Sequence, residues 1–249
     1  MTLNLIGIGL NDEKDITVKG LELVKNSDMV YLESYTSMLQ TSTENLEKFY
    51  GKKIILAGRE LVEQGKDIIE NAKTKNVTLL IIGDIFGATT HYDIYTRAKK
   101  ENITVNLVHN TSIINAIGVT GLMLYNFGKT TSIPFPQENY NPDTAFHVIQ
   151  KNLEQGLHTL ILLDLKPDEN KHMTVAEGLK QLLSSAKKNG HESFEELWAL
   201  GCARIGGNFK ISYGQVKELL NADFGKPPHC LVMPGKLHFV EEEALQEWT

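Results

Sequence analysis

The sequence predicts an α/β protein with two α/β domains and mixed or parallel sheets. Residues 77–82 form an unbroken apolar run of strand length, as expected for a strand buried on both faces of a parallel sheet. Strand and helix patterns alternate around this run, then change character over residues 109–139 before the alternation resumes. We therefore expect an N-terminal domain over residues 1–110 and a C-terminal domain over residues 111–249.

The N-terminal domain shows short apolar runs separated by amphipathic segments. The predicted strands cover residues 3–8, 29–33, 53–57, 77–82 and 104–108. The predicted helices cover residues 16–25, 60–73 and 91–100. We expect the first helix to begin after Asp12 or Asp15 and the third to be capped by Thr89 or Thr90. This order opens a doubly wound sheet.

The C-terminal domain repeats the alternation. Its predicted helices cover residues 141–154, 174–187, 213–220 and 239–248. Its predicted strands cover residues 158–163, 197–203 and 229–233.

Composition limits the possible partners and location. The net charge is −6, and no run of Lys and Arg would follow a phosphate backbone, so no direct nucleic-acid binding is expected. No apolar run approaches the roughly 18 residues of a membrane span, and the amino terminus lacks the basic segment of a signal peptide. Cys202 and Cys230 lie in apolar surroundings, which fits buried thiols in a reducing compartment. We therefore predict a cytoplasmic protein without a membrane partner.

The loop after the strand at residues 77–82 is the first candidate for a ligand site. Open α/β sheets bind ligands at the carboxyl ends of their strands. Gly83 and Asp84 supply turn chemistry, and Gly87 is small enough to let a ligand approach the backbone. Asp84 is either a turn-forming residue that accepts local N–H groups or a ligand-binding carboxylate.

Other polar residues near strand ends are candidates for the same site. Asp164 ends the strand at residues 158–163 much as Asp84 follows the earlier one. His229 is either a satisfied core histidine or one wall of a cleft. Ser112 and Ile113 either begin a helix as a plain cap or offer a hydroxyl and an apolar shelf to a ligand.

The first loop argues against a phosphate-bearing cofactor. Gly7 and Gly9 follow the first strand and Glu33 ends the second, as in a dinucleotide site, but Asp12 occupies the position of the third glycine. Asp12, Glu13 and Asp15 would repel a pyrophosphate at the helix amino terminus. A cofactor that lacks phosphate or carries positive charge suits this loop better.

Three other classes of site are not supported. Residues 127–130 resemble the end of a P-loop but lead into an extended segment rather than a helix. The histidines and cysteines show no metal-binding spacing, so no metal is predicted. No Gly-x-Ser-x-Gly elbow of a serine hydrolase is present.

Five segments together resemble one family. These are LIGIGLNDEKDITVKGLELV, GDIFGATTH, NTSIINAIGVTGLMLYNFGKTTSIPF, GLHTLILLDLK and PPHCLVMPGKLH. They are similar to the diphthine synthases, within the tetrapyrrole-methylase-like class of S-adenosylmethionine enzymes. The resemblance implies a two-domain α/β homodimer with S-adenosyl-L-methionine held in a cleft between the domains. It also implies N-methylation of the 3-amino-3-carboxypropyl group on a histidine of translation elongation factor 2, a step of diphthamide biosynthesis.

The resemblance also implies a set of cofactor-binding residues. They are Leu10, Asp84, Gly87, Ser112, Ile113, Leu163, Ile205 and His229. It names no catalytic base, although Asp84 and Asp164 are candidates by position. One departure from similar proteins is Ile85, which stands where they usually have proline.

Two alternative functions stay open on the sequence. One is methylation of a tetrapyrrole precursor by the same class of enzyme. The other is a non-catalytic protein that binds the cofactor without turnover.

Overall fold

The chain divides into two units, each with its own sheet. The structure is a computed structural model that describes residues 1–89, 91–137 and 142–249. Unit 1 comprises Met1–Ala116 and Lys166–Asn170, and unit 2 comprises Ile117–Leu165 and Lys171–Thr249. The domain boundary expected after residue 110 stays a prediction.

The sheet of unit 1 is parallel throughout the described chain. Its strands are β1 (Thr2–Gly7), β2 (Met29–Glu33), β3 (Ile55–Ala57), β4 (Asn76–Ile81) and β5 (Thr104–Val108). Their order is β3-β2-β4-β1-β5, with β4 pairing in register with β1 and β2. Each strand predicted for this region is present.

Both faces of this sheet are buried. Leu79 and Ile81 pack into one apolar core, whereas Leu80, which points the opposite way along β4, packs into a second core with Val24 and Tyr50. Successive side chains of a strand alternate between faces, so an unbroken apolar run is what a sheet covered on both sides requires.

The helices of unit 1 differ from prediction in three places up to residue 73. They are α1 (Val18–Lys25), α2 (Thr43–Tyr50), α3 (Arg59–Gln64), α4 (Lys66–Ala72), α5 (Tyr92–Lys100) and α6 (Ile113–Ala116). The single helix expected over residues 60–73 is wrong, because Gly65 adopts φ 56° and separates α3 from α4. The expected cap at Asp12 or Asp15 is also wrong, since the Thr17 hydroxyl accepts the Gly20 N–H at the start of α1. The third difference is α2, which was not predicted.

The predicted cap of α5 is not found at Thr89. His91 holds the N-cap position without a side-chain capping bond, and the Thr89 hydroxyl hydrogen-bonds to Nδ1 of His91 instead. Thr90, the other predicted cap, lies outside the described residues.

Unit 2 contains a mixed sheet. The later strands are β6 (Thr131–Ile133), β7 (Thr159–Leu163), β8 (Leu165–Lys166), β9 (Lys171–His172), β10 (Trp198–Ala203), β11 (Lys210–Gln215) and β12 (His229–Met233). The sheet order is β11-β10-β12-β7-β6, and β8 pairs with β9. β6 and β7 are parallel to each other. The pairs β7–β12, β12–β10 and β10–β11 are antiparallel. The α/β class with parallel and mixed sheets is confirmed.

Unit 2 contains four α-helices in the described ranges. They are α7 (Thr144–Glu154), α8 (Val175–Lys188), α9 (Val216–Leu219) and α10 (Phe239–Leu245). The helix expected over residues 213–220 begins too early, since residues 213–215 belong to β11. The first residue of the helix expected from residue 141 lies outside the described residues. No helix in the described ranges is long and apolar enough to cross a membrane.

The two cysteines face each other in this sheet. Cys202 on β10 is the register partner of Cys230 on β12, and both are free and buried. Their predicted burial is confirmed.

Candidate functional site

Three loops meet at the carboxyl edge of the unit 1 sheet, because β1, β4 and β5 are parallel neighbours. The Gly9 N–H donates to the Gly83 carbonyl (3.2 Å), and the Gly83 N–H donates to the Gly9 carbonyl (2.7 Å). Both glycines have positive φ, 78° and 87°. Glycine adopts this region without steric cost, so the loops after β1 and β4 bond directly to each other.

Asp84 fastens the β4 loop to the loop after β5. Its Oδ1 accepts the N–H groups of Phe86 (2.9 Å) and Gly87 (3.1 Å). Its Oδ2 accepts the Asn110 N–H (3.0 Å) and lies 2.9 Å from Nδ1 of His109. These bonds confirm the turn-forming interpretation of Asp84, whereas its contact with a ligand stays a prediction.

The environment of Asp84 favours its ionised form. Burial is the largest single influence and raises the pKa of this carboxyl, whose side chain is only 14% exposed. The hydrogen bonds from Phe86, Asn110 and His109 outweigh burial together, so the pKa lies below the usual aspartate range. The loop is therefore held by a charged carboxylate at neutral pH.

Asn110 and Asp15 complete the junction of the loops, and the sequence did not single out either role. The Asn110 side-chain amide donates to the carbonyls of Gly7 and Asp15, each at 3.0 Å. Oδ2 of Asp15 accepts the N–H groups of Leu10 (3.2 Å) and Asn11 (2.8 Å). Asn110 could have been suspected, because it follows β5 as Asp84 follows β4.

Gly87 lies against the segment that begins α6. A Cβ placed on Gly87 would be 2.7 Å from both Cβ and Oγ of Ser112, so this position admits no larger residue without movement. The Ser112 hydroxyl accepts the Ile114 N–H (3.0 Å), and Ser112 is 6% exposed. Ser112 is therefore a helix cap, and its contact with a ligand stays a prediction.

Leu10 belongs to the same group. A Cβ on Gly83 would lie 3.6 Å from Cδ2 of Leu10 and 3.9 Å from Cα of Ser112. Unit 1 thus brings Leu10, Asp84, Gly87 and Ser112 together, and Ile113 follows as the first residue of α6.

The other three predicted cofactor residues lie in unit 2. Leu163 ends β7, Ile205 follows β10, and His229 begins β12 as the register partner of Ala203. All three are at least nine-tenths buried. Arg204, which directly precedes Ile205, adopts φ 54°, and its N–H donates to the Pro228 carbonyl at 2.8 Å.

His229 leaves one buried acceptor unused. Its Nε2 lies 3.1 Å from the carbonyls of Gly225 and Lys226, which only accept, so Nε2 carries the proton. Nδ1 is then a bare acceptor, and it is buried without a hydrogen-bond partner among the described residues. Burial is the main reason that the pKa of His229 is lowered, which keeps the ring neutral. Such an atom suits a ligand that donates a hydrogen bond.

Two further carboxylates serve the fold. Oδ2 of Asp164 accepts the Phe135 N–H (2.9 Å), which fixes the chain after β6. Glu33 is fully buried and accepts the N–H groups of Tyr35 (2.8 Å) and Thr36 (2.6 Å). Burial is the main reason that the pKa of Glu33 is raised. Neither side chain resembles a free ligand-binding acid.

Comparison with known proteins gives concordant results over nearly the whole chain. Residues 2–193 match the family model for tetrapyrrole (corrin/porphyrin) methylases. The chain is 49% identical to the diphthine synthase of Methanocaldococcus jannaschii, over 98% of this chain and 97% of that protein. It is 44% identical to the diphthine methyl ester synthase of Saccharomyces cerevisiae, over 99% of this chain and 89% of that one. A crystal structure of a diphthine synthase superposes with a TM-score of 0.92 at 37% identity, covering 100% of this chain and 96% of that one.

Proposed function

This chain belongs to the tetrapyrrole (corrin/porphyrin) methylase family and is a methyltransferase of diphthamide biosynthesis, and we propose that its methyl donor is S-adenosyl-L-methionine. We further propose that it methylates the amine of the 3-amino-3-carboxypropyl histidine of translation elongation factor 2. The observation that carries the proposal is the extent of the similarity, which includes both units rather than one cofactor-binding half.

The residues present fit this cofactor. In unit 2, Nδ1 of His229 is buried and has no hydrogen-bond partner among the described residues, so it can accept a hydrogen bond from an amino or hydroxyl group. In unit 1, Gly87 packs directly against Ser112, which places these two proposed contacts side by side. The proposed contacts are Leu10, Asp84, Gly87, Ser112, Ile113, Leu163, Ile205 and His229. When bound, the cofactor supplies a methyl group on a positively charged sulfur.

The first loop favours a cofactor without phosphate. A pyrophosphate site needs free N–H groups at the loop after β1. Here the carboxylate of Asp15 accepts two of them, from Leu10 and Asn11. The chain's own anion thus occupies the place that a phosphate would take.

The test uses purified elongation factor 2 that carries the 3-amino-3-carboxypropyl histidine. Incubation with this protein and S-adenosyl-L-methionine is expected to raise the mass of the factor in whole methyl steps. The unmodified factor, treated in parallel, is expected to stay unchanged. No mass change of the modified factor, with the protein folded and binding the cofactor, would contradict the proposal and favour a non-catalytic binding protein. Transfer to a tetrapyrrole precursor instead would favour the other alternative.

A second target atom is favoured by the names of the relatives. Diphthine synthase and diphthine methyl ester synthase relatives are similarly close to this chain, at 49% and 44% identity. The second name points to methylation of a carboxylate oxygen in addition to the amine. Mild alkali hydrolyses esters and leaves N-methyl groups intact. The part of the mass gain that alkali removes therefore counts ester methyl groups.

We also propose that the protein is a cytoplasmic homodimer. Sedimentation equilibrium of the purified protein tests the dimer, because the monomer mass is 27.9 kDa. A single species of monomer mass at micromolar concentration would contradict it.

A further inference from the structure

The proposed reaction needs a proton acceptor. An amine attacks a methyl group only in its neutral form, whereas a free alkyl amine is protonated at neutral pH. Asp84 and Asp164 were the candidates by position, but both accept backbone N–H groups that hold loops in place. With its contact to His109, Asp84 makes four contacts, about the number that a carboxylate offers.

His109 is differently placed. It follows β5 directly, and its Nδ1 lies 2.9 Å from Oδ2 of Asp84. The Asn110 N–H holds the same carboxylate oxygen, so the carboxylate cannot rotate away from the imidazole. The ring of Phe86 packs edge-on against His109, with ring centroids 6.0 Å apart. The imidazole therefore has a fixed orientation in spite of its exposure.

This contact determines the tautomer. An ionised carboxylate only accepts hydrogen bonds, so Nδ1 of a neutral His109 carries the hydrogen. The lone pair is then on Nε2, which hydrogen-bonds to no residue in the described part of the chain. The His109 side chain is 64% exposed, so a group on another macromolecule can reach this nitrogen. A carboxylate that orients a histidine base in this way is a familiar arrangement in catalysis.

We propose that His109 accepts the proton of the attacking amine, and that Asp84 is its positioning residue. This inference rests on the proposed function. Nε2 of His109 takes a proton from the substrate ammonium group and leaves a neutral amine. The amine nitrogen forms a bond to the methyl carbon, the bond from that carbon to the sulfonium sulfur breaks, and its electron pair goes to sulfur. The exposed imidazolium then releases its proton to water.

His109 is adjacent to the proposed cofactor residues of unit 1. The carboxylate that holds its ring also accepts the Gly87 N–H, and Gly87 abuts Ser112. One side chain thus connects the proposed base with the proposed cofactor loop. Methyl transfer requires close alignment of donor and acceptor, which favours such a connection.

The decisive variant is His109→Asn. The asparagine amide can take the place of Nδ1 and donate to Asp84, but it lacks the distal nitrogen. We expect an unchanged affinity for S-adenosyl-L-methionine by calorimetry and a single-turnover methyl transfer slower by about 10²–10⁴-fold. The deficit should shrink as pH rises, since the amine then loses its proton without a base. His147→Asn is the control, because His147 is also half exposed and lies beside an aspartate, Asp143. It should transfer at the wild-type rate.

The unliganded protein provides an independent measurement. In ¹⁵N-histidine NMR spectra recorded at a pH where the imidazole is neutral, the signal that His109→Asn removes should show a protonated Nδ1 and a bare Nε2. The opposite tautomer would overturn the inference, and so would wild-type transfer by His109→Asn. Loss of cofactor affinity in this variant would show a structural role and overturn it too. If the wild type binds the cofactor but transfers no methyl group, the proposed function fails and this inference with it.

Discussion

Asp84 is the residue on which the candidate site of unit 1 depends. Its two oxygens connect the β4 loop to the loop after β5, and both loops carry proposed cofactor residues. A carboxylate with a lowered pKa stabilises the fold above the unfolded-state pKa, and this stabilisation is lost as pH falls through the folded-state value. Because the unfolded-state value is about 3.9, the loss belongs to the acid range below about pH 4.

Asp84→Asn tests this role. The amide replaces one accepting oxygen by a donor that faces other donors, so we expect a loss of about 1–3 kcal/mol in the free energy of unfolding and weaker cofactor binding. Urea titration and calorimetry measure the two effects. Asp67→Asn, an exposed change in the same unit, should affect neither. Wild-type stability of Asp84→Asn would show that the four contacts of the carboxylate add little.

His91 makes the stability of the protein depend on pH through burial. It is 3% exposed, its Nε2 has no hydrogen-bond partner among the described residues, and burial lowers its pKa to about 4. The unfolded state binds the proton more tightly, so this residue reduces stability as pH falls from about 6.5 toward about 4. Between about pH 7.5 and about pH 5 the loss should be about 2 kcal/mol.

The variant His91→Asn should lose less stability than the wild type over the same pH interval, as measured by urea unfolding at both ends. Ile94→Val is the control, because Ile94 is buried in the same helix and does not titrate. It should cost about 0.5–1.5 kcal/mol equally at both pH values. An unchanged pH dependence in His91→Asn would assign the acid sensitivity to other groups.

At the scale of elements, the strands were predictable because burial on both faces leaves a strong signal. β2, β5 and β12 have the predicted bounds. Elements with few apolar residues were missed: α2 buries only Leu46 and Tyr50, and β11 is an edge strand with one buried residue. Edge and surface elements obtain their stability from tertiary neighbours, which a local pattern does not contain.

The candidate site was predictable only in part for a similar reason. Gly83, Asp84 and Gly87 could be singled out as candidates because turn chemistry followed a buried strand. The roles of Asn110 and Asp15 depend on hydrogen bonds to loops that are distant in sequence, such as the bond from Asn110 to the Gly7 carbonyl. Ile85 shows another limit, since its side chain is fully buried in the core of unit 1. The buried side chain of Ile85 anchors the loop. The absence of the proline that similar proteins usually have at this position did not indicate this anchor.

The break between α3 and α4 gives a prediction at this scale. Gly65 and Gly51 both have positive φ, 56° and 69°, but their surroundings differ. A Cβ on Gly65 would lie 2.7 Å from the Arg97 guanidinium, whereas a Cβ on Gly51 would meet nothing within 4 Å. Gly51→Ala should cost about 1–2 kcal/mol from backbone strain alone. Gly65→Ala should cost more in urea unfolding, because Arg97 must also leave the carbonyls of Glu63 and Gln64. Equal costs would show that the guanidinium moves freely.

At the scale of the whole molecule, the proposed cofactor contacts are divided between two units. Leu10, Asp84, Gly87, Ser112 and Ile113 belong to unit 1, and Leu163, Ile205 and His229 belong to unit 2. A ligand stabilises the folded protein by an amount that grows with the logarithm of its excess over Kd, about 2.7 kcal/mol at 100 times Kd. If the cofactor contacts both sets, its binding must slow local opening in both units.

Hydrogen exchange with and without S-adenosyl-L-methionine tests this division. We expect increased protection of the loops after β1, β4 and β5 in unit 1, and of residues 204–207 and the start of β12 in unit 2. His229→Ala should weaken binding and reduce protection in both units together, since one ligand couples them. Residues 189–192, between α8 and the segment before β10, carry no proposed contact and serve as the internal control. Protection confined to unit 1 would remove Leu163, Ile205 and His229 from the proposed site. The lack of a partner for Nδ1 of His229 within the described ranges would then need another explanation.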